Sequence, residues 1–134
     1  MHAFSPAVSI LVVDECESIC ELIELLLVRV GYHVRTATTG ADSLRLAREM
    51  PSVDVLLCGL ELPDMPGEEV AVGISAVHPA TSVVYVGSSY GPNDGTGPVD
   101  VLEKPFSILE LRNAVRAALQ VMPGCSGSMF LGAG

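Results

Sequence analysis

There is no tryptophan in this 134-residue chain, and aromatic side chains make up only 4% of it. Any core must therefore be aliphatic. Basic residues are also scarce: seven Lys and Arg stand against sixteen Asp and Glu, for a net charge of −9. Binding to a nucleic-acid backbone or an anionic membrane needs clustered cations, so both are excluded. Basic protein surfaces are the partners such a charge favours. No apolar run approaches the roughly 20 residues of a membrane-spanning helix. The opening MHAFSPAVS has no basic segment leading into an apolar one, so no signal peptide is expected. The cysteines, Cys16, Cys20, Cys58 and Cys125, match neither a zinc pattern nor a disulfide framework. A reduced, cytoplasmic setting is the expectation. His2, His33 and His78 are scattered and form no cluster.

What is present is ample aliphatic material, with 49% hydrophobic residues in a length suited to one domain. Strand and helix patterns alternate. Val8 to Val13 is a continuous apolar run, as in a strand buried on both faces. Asp14 ends it and is placed to cap a helix from Glu15 to Val30, whose inward face reads Ile19, Leu22, Ile23, Leu26, Leu27 and Val30, with Gly31 as terminator. Then come a strand at His33 to Thr38 and a helix at Gly40 to Met50, stopped by Pro51. A strand at Val53 to Cys58 precedes a weaker helix at Gly67 to Val77. Strands at Ser82 to Val86 and Val99 to Glu103 lead into a last helix, Ile108 to Val121. The division is a lead at 1–7, a domain at 8–121 and a Gly- and Ser-rich tail at 122–134, read as disordered. No segment is left over for a DNA-binding or enzymatic output domain, so the chain stands alone or is a piece of a longer protein.

Alternating strands and helices predict an α/β fold with a doubly wound parallel sheet. Sites in such sheets form at the carboxyl ends of the strands, where strand order switches. Those ends carry Asp14 and Glu15, then Gly59, then Ser88 and Ser89, then Lys104.

The run ILVVDE with its acidic pair Asp14/Glu15, Pro63 four positions after Gly59, and EKPF at Glu103 to Phe106 resemble the response-regulator receiver, the CheY-like family of two-component signalling. The order of these motifs and the 45-residue step from Asp14 to residue 59 carry the resemblance across residues 8 to 121. It implies five strands in the order 2-1-3-4-5. It also implies a phosphoacceptor aspartate at the end of the third strand, which with the acidic pair holds Mg²⁺. A lysine, matched by Lys104 beside Pro105, helps neutralise the phosphoryl group, and a hydroxyl, matched by Ser88 or, one residue on, Ser89, binds it afterwards.

Three positions depart from that pattern. Gly59 stands where the acceptor would be and brings no nucleophile. Val101 stands where the family places a switch aromatic. The segment YGPNDGTGP, Tyr90 to Pro98, is shorter than its counterpart and holds three Gly and two Pro. Proline costs about 3 kcal/mol and glycine about 1 kcal/mol inside a helix, so the fourth crossover helix is expected to be shortened or lost.

The expectation is a degenerate receiver, independent of phosphorylation, that acts as a protein-interaction module for a sensor kinase or a downstream signalling protein. It is not read as an enzyme, and pairing into a homodimer is left open. Asp14 and Glu15 remain as weak Mg²⁺ ligands. Two carboxylates about 4 Å apart repel by about 4 kcal/mol at an effective dielectric near 20, which Lys104 would offset. Two alternatives stay open: an active phosphoacceptor that uses Glu61 or Asp14, and a small α/β enzyme or cofactor binder. Asp64 is a weaker candidate acceptor because it lies past Pro63. Glu15, Glu17, Glu21 and Glu24 give the first helix an acidic face, and in receivers this helix often meets partners.

Overall fold

The structure, a computed structural model, describes residues 8–87, 101–103 and 106–120. Five strands form one parallel sheet: β1 (Ser9–Val13), β2 (His33–Ala37), β3 (Val55–Gly59), β4 (Ser82–Gly87) and β5 (Val101–Glu103), in the order β2-β1-β3-β4-β5. Four helices are described: α1 (Glu17–Val30), α2 (Gly40–Glu49), α3 (Gly67–Val77) and α4 (Ile108–Leu119). This is the predicted fold class and strand order. The fourth crossover, the 1–7 lead and the 122–134 tail lie outside the described residues.

Apart from Ser9 and Ser82 at their starts, the central strands carry no polar side chain because both faces are covered. Ile10 and Val12, Val55 and Leu57, and Val84 and Val86 face α1 and α4. Leu11, Val13, Leu56, Cys58 and Tyr85 face α2 and α3. Burying each such aliphatic side chain contributes about 1.5–3 kcal/mol, so the core is built from many aliphatic residues of similar weight.

Helix ends follow local chemistry, with one departure from expectation. Ser107 and Glu110 form a reciprocal capping box at the start of α4: the Ser107 hydroxyl accepts from the Glu110 amide and Glu110 Oε1 accepts from the Ser107 amide. Gly31 closes α1 at φ 112°, a left-handed conformation natural to glycine. Asp14, however, does not cap a helix starting at Glu15. The helix starts two residues later with Cys16 at the N-cap, because Asp14 Oδ1 accepts from the Cys16 amide at 2.9 Å and closes a turn ahead of it.

The inward face of α1 is narrower than its pattern suggests. Cys20, Ile23 and Leu27 are buried, whereas Leu22, expected inside, is 47% exposed and Val30 is 45% exposed. The helix lies against the edge of the sheet over β1 and β2, where one stripe is enough to meet the strands and residues on its flanks stay wet.

Close backbone approach explains one glycine in particular. A Cβ on Gly67, the first residue of α3, would collide with the carbonyl oxygen of Gly59, whereas a Cβ on Gly73 would meet only the movable tip of Leu44. Gly67→Ala should therefore lower unfolding free energy by about 1–3 kcal/mol in urea titrations. Gly73→Ala, in the middle of α3, should be neutral or stabilising by up to about 1 kcal/mol.

Candidate functional site

The strand order reverses between β1 and β3, so their carboxyl ends open side by side, with Val13 paired to Cys58. The next residue on each strand is a candidate from the sequence. Asp14 is 3% exposed and its amide donates to the Ala37 carbonyl at 3.1 Å, which continues the β1–β2 ladder. One carboxylate oxygen holds the Cys16 amide, and the Cys20 thiol donates to the Asp14 carbonyl at 3.4 Å. The other oxygen, Oδ2, faces Gly59: a Cβ built there would lie 3.6 Å from it, 3.5 Å from the Val13 carbonyl oxygen and 3.4 Å from Leu62 Cδ2.

All three are ordinary contacts, and Gly59 is not in a left-handed conformation. Position 59 could therefore carry an L side chain, and that side chain would leave the strand beside Asp14. Glycine here is demanded neither by backbone conformation nor by packing, in contrast to Gly67. What glycine changes is chemistry: the end of β3 offers only backbone groups beside Asp14.

The loop after β3 is pinned at several points. Leu60 donates its amide to the Val86 carbonyl, Leu62 to Met65 at 3.1 Å and Gly67 to Leu60 at 2.8 Å, while Glu61 and Pro66 form an isolated antiparallel bridge. Asp64 is the anchor. Its Oδ1 accepts from the Gly40 amide at 2.8 Å and its Oδ2 from the Ala41 amide at 2.9 Å. The Thr39 hydroxyl accepts from the Asp42 amide at 3.1 Å, so the first three amides of α2 are all satisfied. Met65 packs so closely on Gly40 that a Cβ there would overlap its thioether. Sequence reasoning weighed Asp64 only as a weak alternative acceptor past Pro63. Its partners lie 24 and 23 residues upstream, and no local spacing announces them.

The remaining candidates divide between those the fold places apart and those outside the described residues. Glu15 and Glu61 are exposed, whereas Asp14 is buried. Among the described residues no group of three or more His, Cys, Asp or Glu stands together to hold a metal ion. Mg²⁺ wants six oxygen ligands, and among the described residues Asp14 is the only buried carboxylate, so their donor set does not fit a tightly held Mg²⁺. Cys58 is no substitute nucleophile. Burial, reinforced by the Asp14 carboxylate, pushes its thiol up to about 12, and the thiol donates to the Gly59 carbonyl at 3.4 Å. Ser88, Ser89, Lys104 and Pro105 lie outside the described residues. The residues just before them, Gly87 and Glu103, are paired across β4 and β5. Val101 sits in β5 with its backbone registered on Tyr85.

The chain has clear likenesses among known proteins. The family model described as the response regulator receiver domain matches residues 10–116. The transcriptional regulatory protein KdpE of Mycobacterium tuberculosis is 34% identical over 115 residues, covering 83% of this chain and 50% of that protein. The transcriptional regulatory protein ZraR of Escherichia coli is 31% identical over 118 residues, covering 84% of this chain and 26% of its own length. The chain thus spans half or less of these curated relatives. A response regulator receiver domain protein from Clostridium thermocellum superposes with a TM-score of 0.72 at 28% identity, covering 84% of this chain and 94% of that one. The chemotaxis protein CheY4 of Vibrio cholerae shares the fold, with a TM-score of 0.76 at 24% identity over 85% of this chain and 100% of that one.

Two substitutions test this geometry. Gly59→Ala should leave stability unchanged or raise it by roughly 0.4–1 kcal/mol, since a methyl fits and the unfolded chain loses freedom. Asp64→Asn should lower the urea midpoint at neutral pH. The Gly40 and Ala41 amides hold the Asp64 carboxyl below the ordinary value near 3.8, so its contribution is complete above that value and is lost as pH falls through the lower folded-state value. Denaturation curves of parent and Asp64→Asn should accordingly converge in acid.

Proposed function

Because this chain belongs to the response regulator receiver domain family, we propose that it is a two-component signalling receiver that works without accepting phosphate, as a protein-interaction module. The observation that carries this reading is the pair Asp14 and Gly59. The fold sets residue 59 beside the buried Asp14 carboxylate, where a side chain would fit, and the residue has none. Aspartyl phosphate formation needs a carboxylate oxygen as nucleophile and a cation to neutralise the incoming phosphoryl oxygens. Among the described residues this edge of the sheet supplies one buried carboxylate and no cluster of acids.

The scaffold around the vacancy is intact. The β3–α3 loop is tied down by Asp64, and β3 keeps its register with both neighbours. A retained scaffold without its nucleophile suits a domain that communicates by the shape and charge of its surface. In this reading the chain presents that surface to a sensor kinase or a downstream signalling protein and turns over no substrate. The net charge of −9 favours a partner face with excess Lys and Arg. Among the described residues no helix is long and apolar enough to cross a membrane, which supports a cytoplasmic place of action.

Incubation with acetyl phosphate and Mg²⁺ followed by intact-mass measurement tests the proposal. The parent should gain no phosphoryl group, and Gly59→Asp should gain one on part of the population, if Lys104 and Ser88 complete the site as the resemblance implies. A phosphoryl group recovered on the parent, at Glu61, Asp14 or any other carboxylate, would overturn the reading.

A further inference from the structure

The two faces of the sheet are covered differently. On one, α2 and α3 pack on each other, with Leu44 seated against Gly73. On the other, α1 lies over β1 and β2 and α4 over β3 to β5, with no comparable contact between the two helices. The side of α1 that faces β2 is marked by Cys20, whose thiol donates to the Ala37 carbonyl at 3.6 Å. Ile19, Leu22 and Leu26 lie at three- and four-residue spacing on the other side, toward α4 and away from the acids Glu17, Glu21 and Glu24. The same right-handed helical sense turns Ile108, Arg112 and Leu119 of α4 toward α1. Ile19, Leu26 and Leu119 pack against one core cluster and floor the groove between the helices. Leu22 and Ile108, on its rims, are 47% and 55% exposed.

Both helices run back from the carboxyl edge of the parallel sheet to its amino edge, so the groove opens at that edge beside Leu119, where α4 ends. The sequence that follows suits it. VMPGCSGSMFLGAG, 121–134, has no charged side chain in a chain of net charge −9. It begins with Met122, Pro123 and Gly124, a signal for a reversing turn, and carries Met129, Phe130 and Leu131 as a large apolar group. From Leu119 to Ile108 the groove is about 17 Å long. Phe130 lies eleven residues past Leu119, and a Gly- and Ser-rich chain of that length spans about 18 Å on average. The tether matches the span, which is the condition for the highest effective concentration. A second copy would have no such tether and would bring a further −9 to the same face.

We propose that segment 121–134 of the same chain occupies the groove between α1 and α4, with Phe130 and its neighbours laid across Leu22 and Ile108. There it acts as a strap. It joins the two helices that the core leaves apart, and it withholds their apolar flanks from other proteins until it is displaced. The proposal stands whether or not residue 59 takes phosphate.

Because the chain has no tryptophan, Phe130→Trp puts a single fluorescent reporter in the segment. In the folded full chain its emission should lie to the blue of free tryptophan and acrylamide should quench it several-fold less, equally at every protein concentration. Adding Leu22→Glu, at an already exposed position, should return both readings to those of free tryptophan. Adding Val72→Glu, on the other face of the sheet, should change neither. Circular dichroism checks that each variant is folded. Emission like that of free tryptophan in the folded chain, or a blue shift that survives Leu22→Glu, overturns the proposal. So does a blue shift that grows with protein concentration, which would assign the groove to a second copy.

Discussion

The carbonyl of Gly59 lies directly beneath the first residue of α3, and the carboxyl edge of the sheet is arranged around that approach. Gly67 must lack a side chain for the helix to start there, and its amide then reaches the Leu60 carbonyl. This fixes where β3 ends and where α3 begins, and so sets the loop between them. Asp64 holds the outer side of the same loop against the first turn of α2, and Met65 fills the space over Gly40. Two helices and the central strand are thereby joined through one short segment. The position beside Asp14 is defined by that rigid frame rather than by any side chain at residue 59.

This separates two kinds of glycine within nine residues. Gly67 is required by geometry, and Gly59 is not. The fold leaves room at residue 59 for a side chain beside Asp14, and in the proposed function the identity of that side chain decides between phosphoryl chemistry and its absence. Restoring a carboxylate there would set two acids close together at a buried edge. At about 4 Å and an effective dielectric near 20 this costs about 4 kcal/mol unless a cation is present. A domain that works as proposed, without that chemistry, avoids this repulsion.

Much of the fold was legible in the sequence because its signals are local. Short continuous runs rich in β-branched residues, such as Ile10 to Val13, fit strands covered on both faces, and their alternation with amphipathic segments implies parallel crossovers. Where the reading missed, a tertiary contact decided. Asp14 was expected to cap a helix at Glu15, but its carboxylate prefers the nearer Cys16 amide and delays the helix. Leu22 and Val30 match a helical stripe equally well whether they face the core or the solvent, and periodicity cannot tell how much of α1 the sheet edge covers. Asp64 was read only as a weak alternative acceptor, because its grip on α2 depends on a contact across more than twenty residues. The vacancy at residue 59 was legible because it rests on identity and spacing. Its neighbourhood was not: that Asp14 is buried, that it faces the vacancy and that Glu15 and Glu61 stay in solvent all depend on how the loops close.

The most direct measurement of the central claim is an amide ¹H–¹⁵N correlation spectrum of the parent with Mg²⁺ alone and again after acetyl phosphate is added. Resonances of Asp14 to Cys16 and Gly59 to Leu62 should be the same in both spectra, because no group at that edge takes up phosphate. Shifts centred on those residues that appear only with the phosphodonor would contradict the account.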